Sequence, residues 1–143
     1  MPTKAEGVTA RQKQSDASKR VTFEMLKTKP RAEQEITFLM NTEGGKKEEV
    51  TFLFRSIGSV DYDRLLTKNP PTTEQRAEGA SYNINTFAPA ILSSVCAEPE
   101  MSPTQWSEIW NSPDWNRGEI MQLFVSAVEL CNQGMDIPFF DRG

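Results

Sequence analysis

The sequence predicts an α+β fold: a small N-terminal β-hairpin, one face of which lies on the helices or is joined by a third strand at residues 21–26, followed by a bundle of four or five helices and preceded by a flexible basic N-terminal arm. Three observations carry this. Two short runs alternate apolar and polar residues with period 2, at 35–40 and 50–55. From Ser59 onward, apolar residues recur at helical spacing between Pro and Gly stops. The longest apolar-periodic stretch, 112–134, places Ile120, Leu123, Phe124, Ala127, Val128 and Cys131 at i, i+3, i+4, i+7, i+8 and i+11, one face of an α-helix.

In chain order, residues 1–20 are rich in Lys, Gln, Ser and Thr and hold almost no large apolar side chain, so they predict a flexible segment. Val21, Phe23 and Met25 alternate with Thr22, Glu24 and Leu26, which reads as a short strand or a docking segment. Residues 27–33, with Pro30, form a linker. The domain division is therefore 1–34, basic arm and linker, and 35–143, a single α+β domain. Ile36, Phe38 and Met40 point to one face of the first strand, and Val50, Phe52 and Phe54 to one face of the second. Gly44-Gly45 supplies the connection between them.

The helices carry their own punctuation. Ser59 is the expected cap of the segment VDYDRLLTKN, stopped by Asn69-Pro70-Pro71. Thr72 opens a short helix with Gln75 at N3, and Gly79 ends it. Asn85 is the expected cap of TFAPAILSSVCAE, with Pro89 near the first turn, Phe87, Ile91, Leu92 and Val95 on one face, and Pro99 as the stop. Ser102-Pro103 with Gln105 combines a cap, a Pro at N1 and an N3 acceptor. The helix after it aligns Trp106, Ile109 and Trp110. Ser112-Pro113 turns into the long helix, where Asn116 and Glu119 form a capping box and Gly134 suits a left-handed C′ position, with Pro138 barring a restart. Met121, Val125 and Leu130 widen its apolar face, so this helix is the predicted core.

Composition narrows the function. The 143 residues include no histidine, which removes His-dependent triads, imidazole metal sites and the commonest general base. Cys96 and Cys131 sit among apolar residues outside any CxxC or Cys/His cluster and read as small buried hydrophobes, with a disulfide between them not implied. No run reaches the roughly 20 apolar residues of a membrane span, and the N-terminus lacks an apolar signal core, so the reading is a soluble, intracellular protein. The net charge of −4 is unevenly spread: residues 1–31 hold eight Lys/Arg against three Asp/Glu, and the rest hold eight against seventeen. A basic arm can contact nucleic acid, but its charges are scattered and no aromatic precedes Phe23, which favours a solvated tail.

Chemistry is sparse. Gly44-Gly45 lies between strands, so it is a turn and no phosphate loop. Asp61 with Asp63 reads as helix-dipole complementation, and Glu98 with Glu100 as a connector. No Ser has a nucleophile-elbow context. Trp106, Trp110 and Trp115 read as core anchors before they read as a stacking platform. Neither cofactor-binding nor metal-ligating residues are assigned, and the reading is an interaction protein without catalysis. The apolar tail Ile137-Pro138-Phe139-Phe140 either folds back onto its own domain or docks a partner, and in the second case Ile137, Phe139 and Phe140 are the candidate partner-binding residues.

Three segments, DYDRLLTKNPPTTEQ (61–75), YNINTFAPAILSSVCAEPEMS (82–102) and WNSPDWNRGEIMQLFVSAVELCNQGMDIPF (110–139), resemble the tail assembly chaperones of long-tailed, siphovirus-type bacteriophages of actinobacterial hosts. The shared pattern is an acid- and aromatic-bearing helix ending in a double proline, a Tyr-Asn turn, a Thr-Phe-x-Pro-Ala helix start and a Ser-Pro-x-Trp entry to the last helix. It spans residues 50–140 and leaves 1–34 untouched. The resemblance implies a non-enzymatic factor of the host cytoplasm, absent from the mature virion. Such a factor coats the tape measure protein, keeps it soluble and recruits the tail tube protein during tail morphogenesis. It implies self-association as a homo-oligomer or association with a longer, frameshifted form, and the chain ending three residues after Phe140 fits the shorter product. Two other classes stay open at this point: a basic-armed nucleic-acid-binding or regulatory protein, and a minor structural connector retained in the virion.

Overall fold

The computed structural model describes residues 18–135. Among them it holds a three-stranded antiparallel sheet and six α-helices, an α+β fold as the sequence predicts. The chain divides into two units, residues 31–133 and a second made of the flanking segments.

In the flanking unit, α1 (Phe23–Lys27) replaces the predicted strand. Phe23 and Leu26 stand at i, i+3, and the Thr22 side chain caps the helix by accepting from the Met25 N–H at 3.2 Å. The local cap and helical spacing prevail over a three-residue alternation.

In the main unit, β1 (Glu33–Asn41) and β2 (Lys47–Arg55) form the hairpin, with all nine residues of each in register from Glu33–Arg55 to Asn41–Lys47. A single 3₁₀ turn at Glu43–Gly45 joins them, and Gly44 (φ 84°) and Gly45 (φ 77°) adopt the left-handed conformation that closes it. The third strand is β3 (Cys96–Glu98), which pairs with the far side of β2, so the sheet order is β1-β2-β3. The sequence predicts that the helix continues through these residues; the structure ends it at Val95. The open side of β2 supplies backbone partners there, and Pro99 follows at once.

Five helices follow the hairpin: α2 (Ser59–Lys68), α3 (Thr73–Ala77), α4 (Ile84–Val95), α5 (Pro103–Trp110) and α6 (Arg117–Asn132). Capping boxes at Thr72/Gln75, Ser102/Gln105 and Asn116/Glu119 form as the sequence reads. Four expectations shift. Ser59 is the first helical residue of α2, with Gly58 at the cap position. Asn83, not Asn85, caps α4: its side chain accepts from the Asn85 N–H at 3.0 Å and from Gln75 Nε2 at 3.2 Å, while its own N–H donates to Asn69 O at 2.9 Å. That earlier cap puts Pro89 inside α4 as its sixth residue, where it leaves the Asn85 carbonyl without its i+4 donor. At the end of α6, Gln133 leaves the helix in extended backbone and Gly134 is not left-handed.

The core lies between the inner sheet face and α4, α5 and α6. Phe54, Phe87, Ile91, Leu92, Val95, Trp106 and Leu123 are fully buried, with Ile120, Phe124, Ala127 and Leu130 closing the α6 side. Val125 is 42% exposed and does not widen that face. Five rings meet in the helical layer: Tyr62, Tyr82, Phe87, Trp110 and Phe124. On the sheet side, Phe52 packs against Phe38, Phe54 and Trp106, and Phe38 meets Trp115 edge-on. Of the three tryptophans, Trp106 is buried, and Trp110 and Trp115 pack on the core half-buried, the anchoring role read from the sequence.

Candidate functional site

The predicted partner-binding residues, Ile137, Phe139 and Phe140, lie outside the described residues, as does most of the basic arm. The remaining candidates are surfaces built from the hairpin, α1 and the entry to α6.

The hairpin surface follows from its register. The Thr42 N–H donates to Lys46 O at 2.7 Å, and the Ser56 N–H to Ala32 O at 2.9 Å. These two pairs bracket the ladder and place the even-numbered residues of β1 in the hydrogen-bonded pairs with β2. The odd-numbered pairs are the close, non-hydrogen-bonded ones. Thr37 and Thr51 meet there, hydroxyl to hydroxyl, at 2.8 Å, and Arg55 donates to Glu33 Oε2 at 2.7 Å. The backbone N–H and C=O groups of Glu33, Glu35, Thr37, Leu39 and Asn41 therefore point away from β2. Among the described residues no strand pairs with that side of β1. The outer face of the hairpin carries Leu39, 63% exposed, between polar neighbours.

Sequence reasoning missed this edge. It assigned alternation correctly but offered residues 21–26 as the third strand; with β3 on the far side of β2, β1 is left as an edge. The side of a hairpin that a third strand occupies is a tertiary fact, and no local signal in β1 states it.

Beside the C-terminal half of β1 lies a cleft of about 260 Å³ lined by Phe38, Leu39, Met40, Asn41, Asp114, Trp115 and Glu119. Its apolar walls come from the hairpin and Trp115, and carboxylates stand at its rim. Glu119 is committed to the cap of α6, where its Oε1 accepts from the Asn116 N–H at 2.9 Å. In the other unit, α1 presents its own apolar residues outward: Phe23 is 77% exposed, with Lys27 Nζ 5.9 Å from its ring centroid, and Leu26 and Val21 are exposed beside it.

The chemistry-bearing groups are distributed in the same way. Asp61 accepts from Arg64 at 3.1 Å on the exposed side of α2, and the Asp63 carbonyl receives the Thr67 hydroxyl at 3.0 Å. The Asp61 carboxylate thus serves a local helix contact. Both cysteines are free thiols. Burial pushes the Cys96 thiol up to about 11, and its Sγ lies 3.2 Å from Pro99 O. Burial also raises Cys131. Neither thiol is a ready nucleophile at neutral pH. Among the described residues, no group of three or more Cys, Asp or Glu side chains could hold a metal ion, and no helix is long and apolar enough to cross a membrane.

No family model, curated protein or solved structure matches this chain.

Proposed function

We propose that this chain is a tail assembly chaperone of a siphovirus-type bacteriophage: a non-enzymatic factor that binds the tape measure protein, keeps it soluble and helps recruit tail tube subunits. The observation that carries the reading is the resemblance of segments 61–75, 82–102 and 110–139 to that family. The fold adds support. The three segments are brought together at one place, because Tyr62 comes from the first, Tyr82 and Phe87 from the second, and Trp110 and Phe124 from the third. Tyr62, Tyr82 and Phe87 belong to the shared pattern itself and build this layer, so a chain sharing them would share part of its packing.

The mechanism is physical. A long amphipathic tape measure helix in water exposes apolar stripes that self-associate. A chaperone that lays apolar surface against those stripes covers them. Release during tube polymerisation requires each contact to be weak, so many copies act together along the helix. The apolar tail, through Ile137, Phe139 and Phe140, supplies the contact, and copies associate with one another or with a longer frameshifted form. The protein acts in the host cytoplasm and leaves before the virion is complete.

Co-expression with the tape measure protein of the same phage, followed by affinity purification of this chain, tests the reading. The tape measure protein should co-purify, and replacing Phe139 and Phe140 with Ser should reduce its recovery. Salt-dependent DNA or RNA binding that disappears on deleting residues 1–31 would replace this reading with the nucleic-acid one, and recovery of the chain from purified particles would replace it with the connector.

A further inference from the structure

From the register of β1 we infer that its free edge is a self-association surface, on which a second copy of this chain adds its own β1 antiparallel to form a continuous six-stranded sheet. This inference rests on the self-association in the proposed function and gives it a surface, while tape measure binding is a separate readout.

The edge is long and unguarded. Nine residues of β1, Glu33–Asn41, run without Pro, Gly or Lys, and the irregularity in the sheet lies between β2 and β3. Folded proteins ordinarily blunt such edges with a proline, charged side chains (lysine above all), a bulge or a very short strand, and of these β1 carries only Glu33 and Glu35, both at its N-terminal end. The opposite edge follows that practice: β3 is three residues long and Pro99 comes directly after it. The unguarded edge is the one that a partner covers.

The charge pattern sets the direction in which a second copy can pair. A closed two-fold pairing centred on Thr37 uses all nine residues. It sets Thr37 opposite Thr37 of the second copy, Glu35 opposite Leu39, and Glu33 opposite Asn41. The odd residues, whose N–H and C=O groups face outward, become the hydrogen-bonded pairs of the new ladder. No glutamate faces a glutamate. A parallel arrangement would line Glu33 and Glu35 up beside their own copies, which like-charge repulsion disfavours. On the inner face, Ile36 falls opposite Phe38, so the half-buried row of Ile36, Phe38 and Met40 continues from one copy into the next.

The experiment uses the full chain. Size-exclusion chromatography with light scattering should give a dimer, and Leu39→Pro should give a monomer, since Pro at 39 removes an N–H that faces outward and not one bonded to β2. Thr37→Cys guards against a folding defect in that variant. Under mild oxidation it should yield a covalent dimer, whereas Thr51→Cys, on the same sheet face one strand inward, should not. The native thiols are common to both variants. A monomeric full chain, a dimer that survives Leu39→Pro, or equal cross-linking at 37 and 51 would each overturn the proposal.

Discussion

Phe87 of α4 lies edge-on to Phe124 of α6, with ring centroids 6.0 Å apart and planes at 87°. Both are buried; Tyr82 packs against both rings, and Trp110 meets Phe124 edge-on. The contact joins the two helices that carry most of the core; α4, which packs against α2, α5, α6 and β3, is the element the main unit is built around, where the sequence predicts α6.

Truncating one ring of that pair should therefore be severe. Phe124→Ala removes a buried aromatic whose neighbours come from separate elements and cannot all collapse inward. A loss of about 3–5 kcal/mol is expected from urea melts. A loss below about 1 kcal/mol would mean that the ring is not part of the core.

The capping box of α6 should be measurable on its own. Asn116 Oδ1 accepts from the Glu119 N–H at 2.8 Å while Glu119 returns the bond to the Asn116 N–H. Asn116→Ala should cost about 1 kcal/mol in the same melts, and Asn116→Ser or Asn116→Asp much less.

The hairpin turn gives a conformational test. An added Cβ at Gly44 would meet nothing within 4 Å, so any cost of Gly44→Ala comes from its φ of 84° alone. A loss of roughly 1–2 kcal/mol is expected, the penalty of left-handed backbone for an L-residue. A neutral outcome would mean that the turn relaxes into another type.

Much of this architecture was legible in the sequence, because the signals are local. The hairpin came from period-2 runs and a Gly-Gly connection, and α3, α5 and α6 from a cap with an acceptor three residues on. What was not legible depended on tertiary partners. Cys96-Ala97-Glu98 carries no strand pattern and becomes a strand because β2 has an open side. Asn83 and Asn85 are both competent caps. The bond from the Asn83 N–H to Asn69 O, across the intervening α3, fixes the start of α4, and no short window contains both residues. The free edge of β1 is a consequence of that same sheet order. The candidate partner residues Ile137, Phe139 and Phe140 were visible as an apolar tail, but they lie outside the described residues.

Cys96 predicts a pH dependence. Its thiol goes from an ordinary value of 9.0 to about 11 in the folded chain, because burial disfavours the thiolate. Above pH 9 the unfolded chain loses this proton while the folded chain keeps it. Stability should therefore be fully present below about pH 9 and fall as the pH rises toward 11. Urea midpoints measured across that interval should decline, and Cys96→Ala should show a shallower decline. An identical slope in the variant would mean that Cys96 titrates normally.

The central claim, that this chain chaperones a tape measure protein, is tested most directly by the soluble yield of that protein. The tape measure protein of the same phage would be expressed alone and together with this chain, and the soluble fraction measured in each case. The account predicts that the tape measure protein is largely insoluble alone, becomes soluble with the chaperone, and elutes with several copies of it bound. A tape measure protein equally soluble in both cases, or one that elutes without this chain, would contradict it.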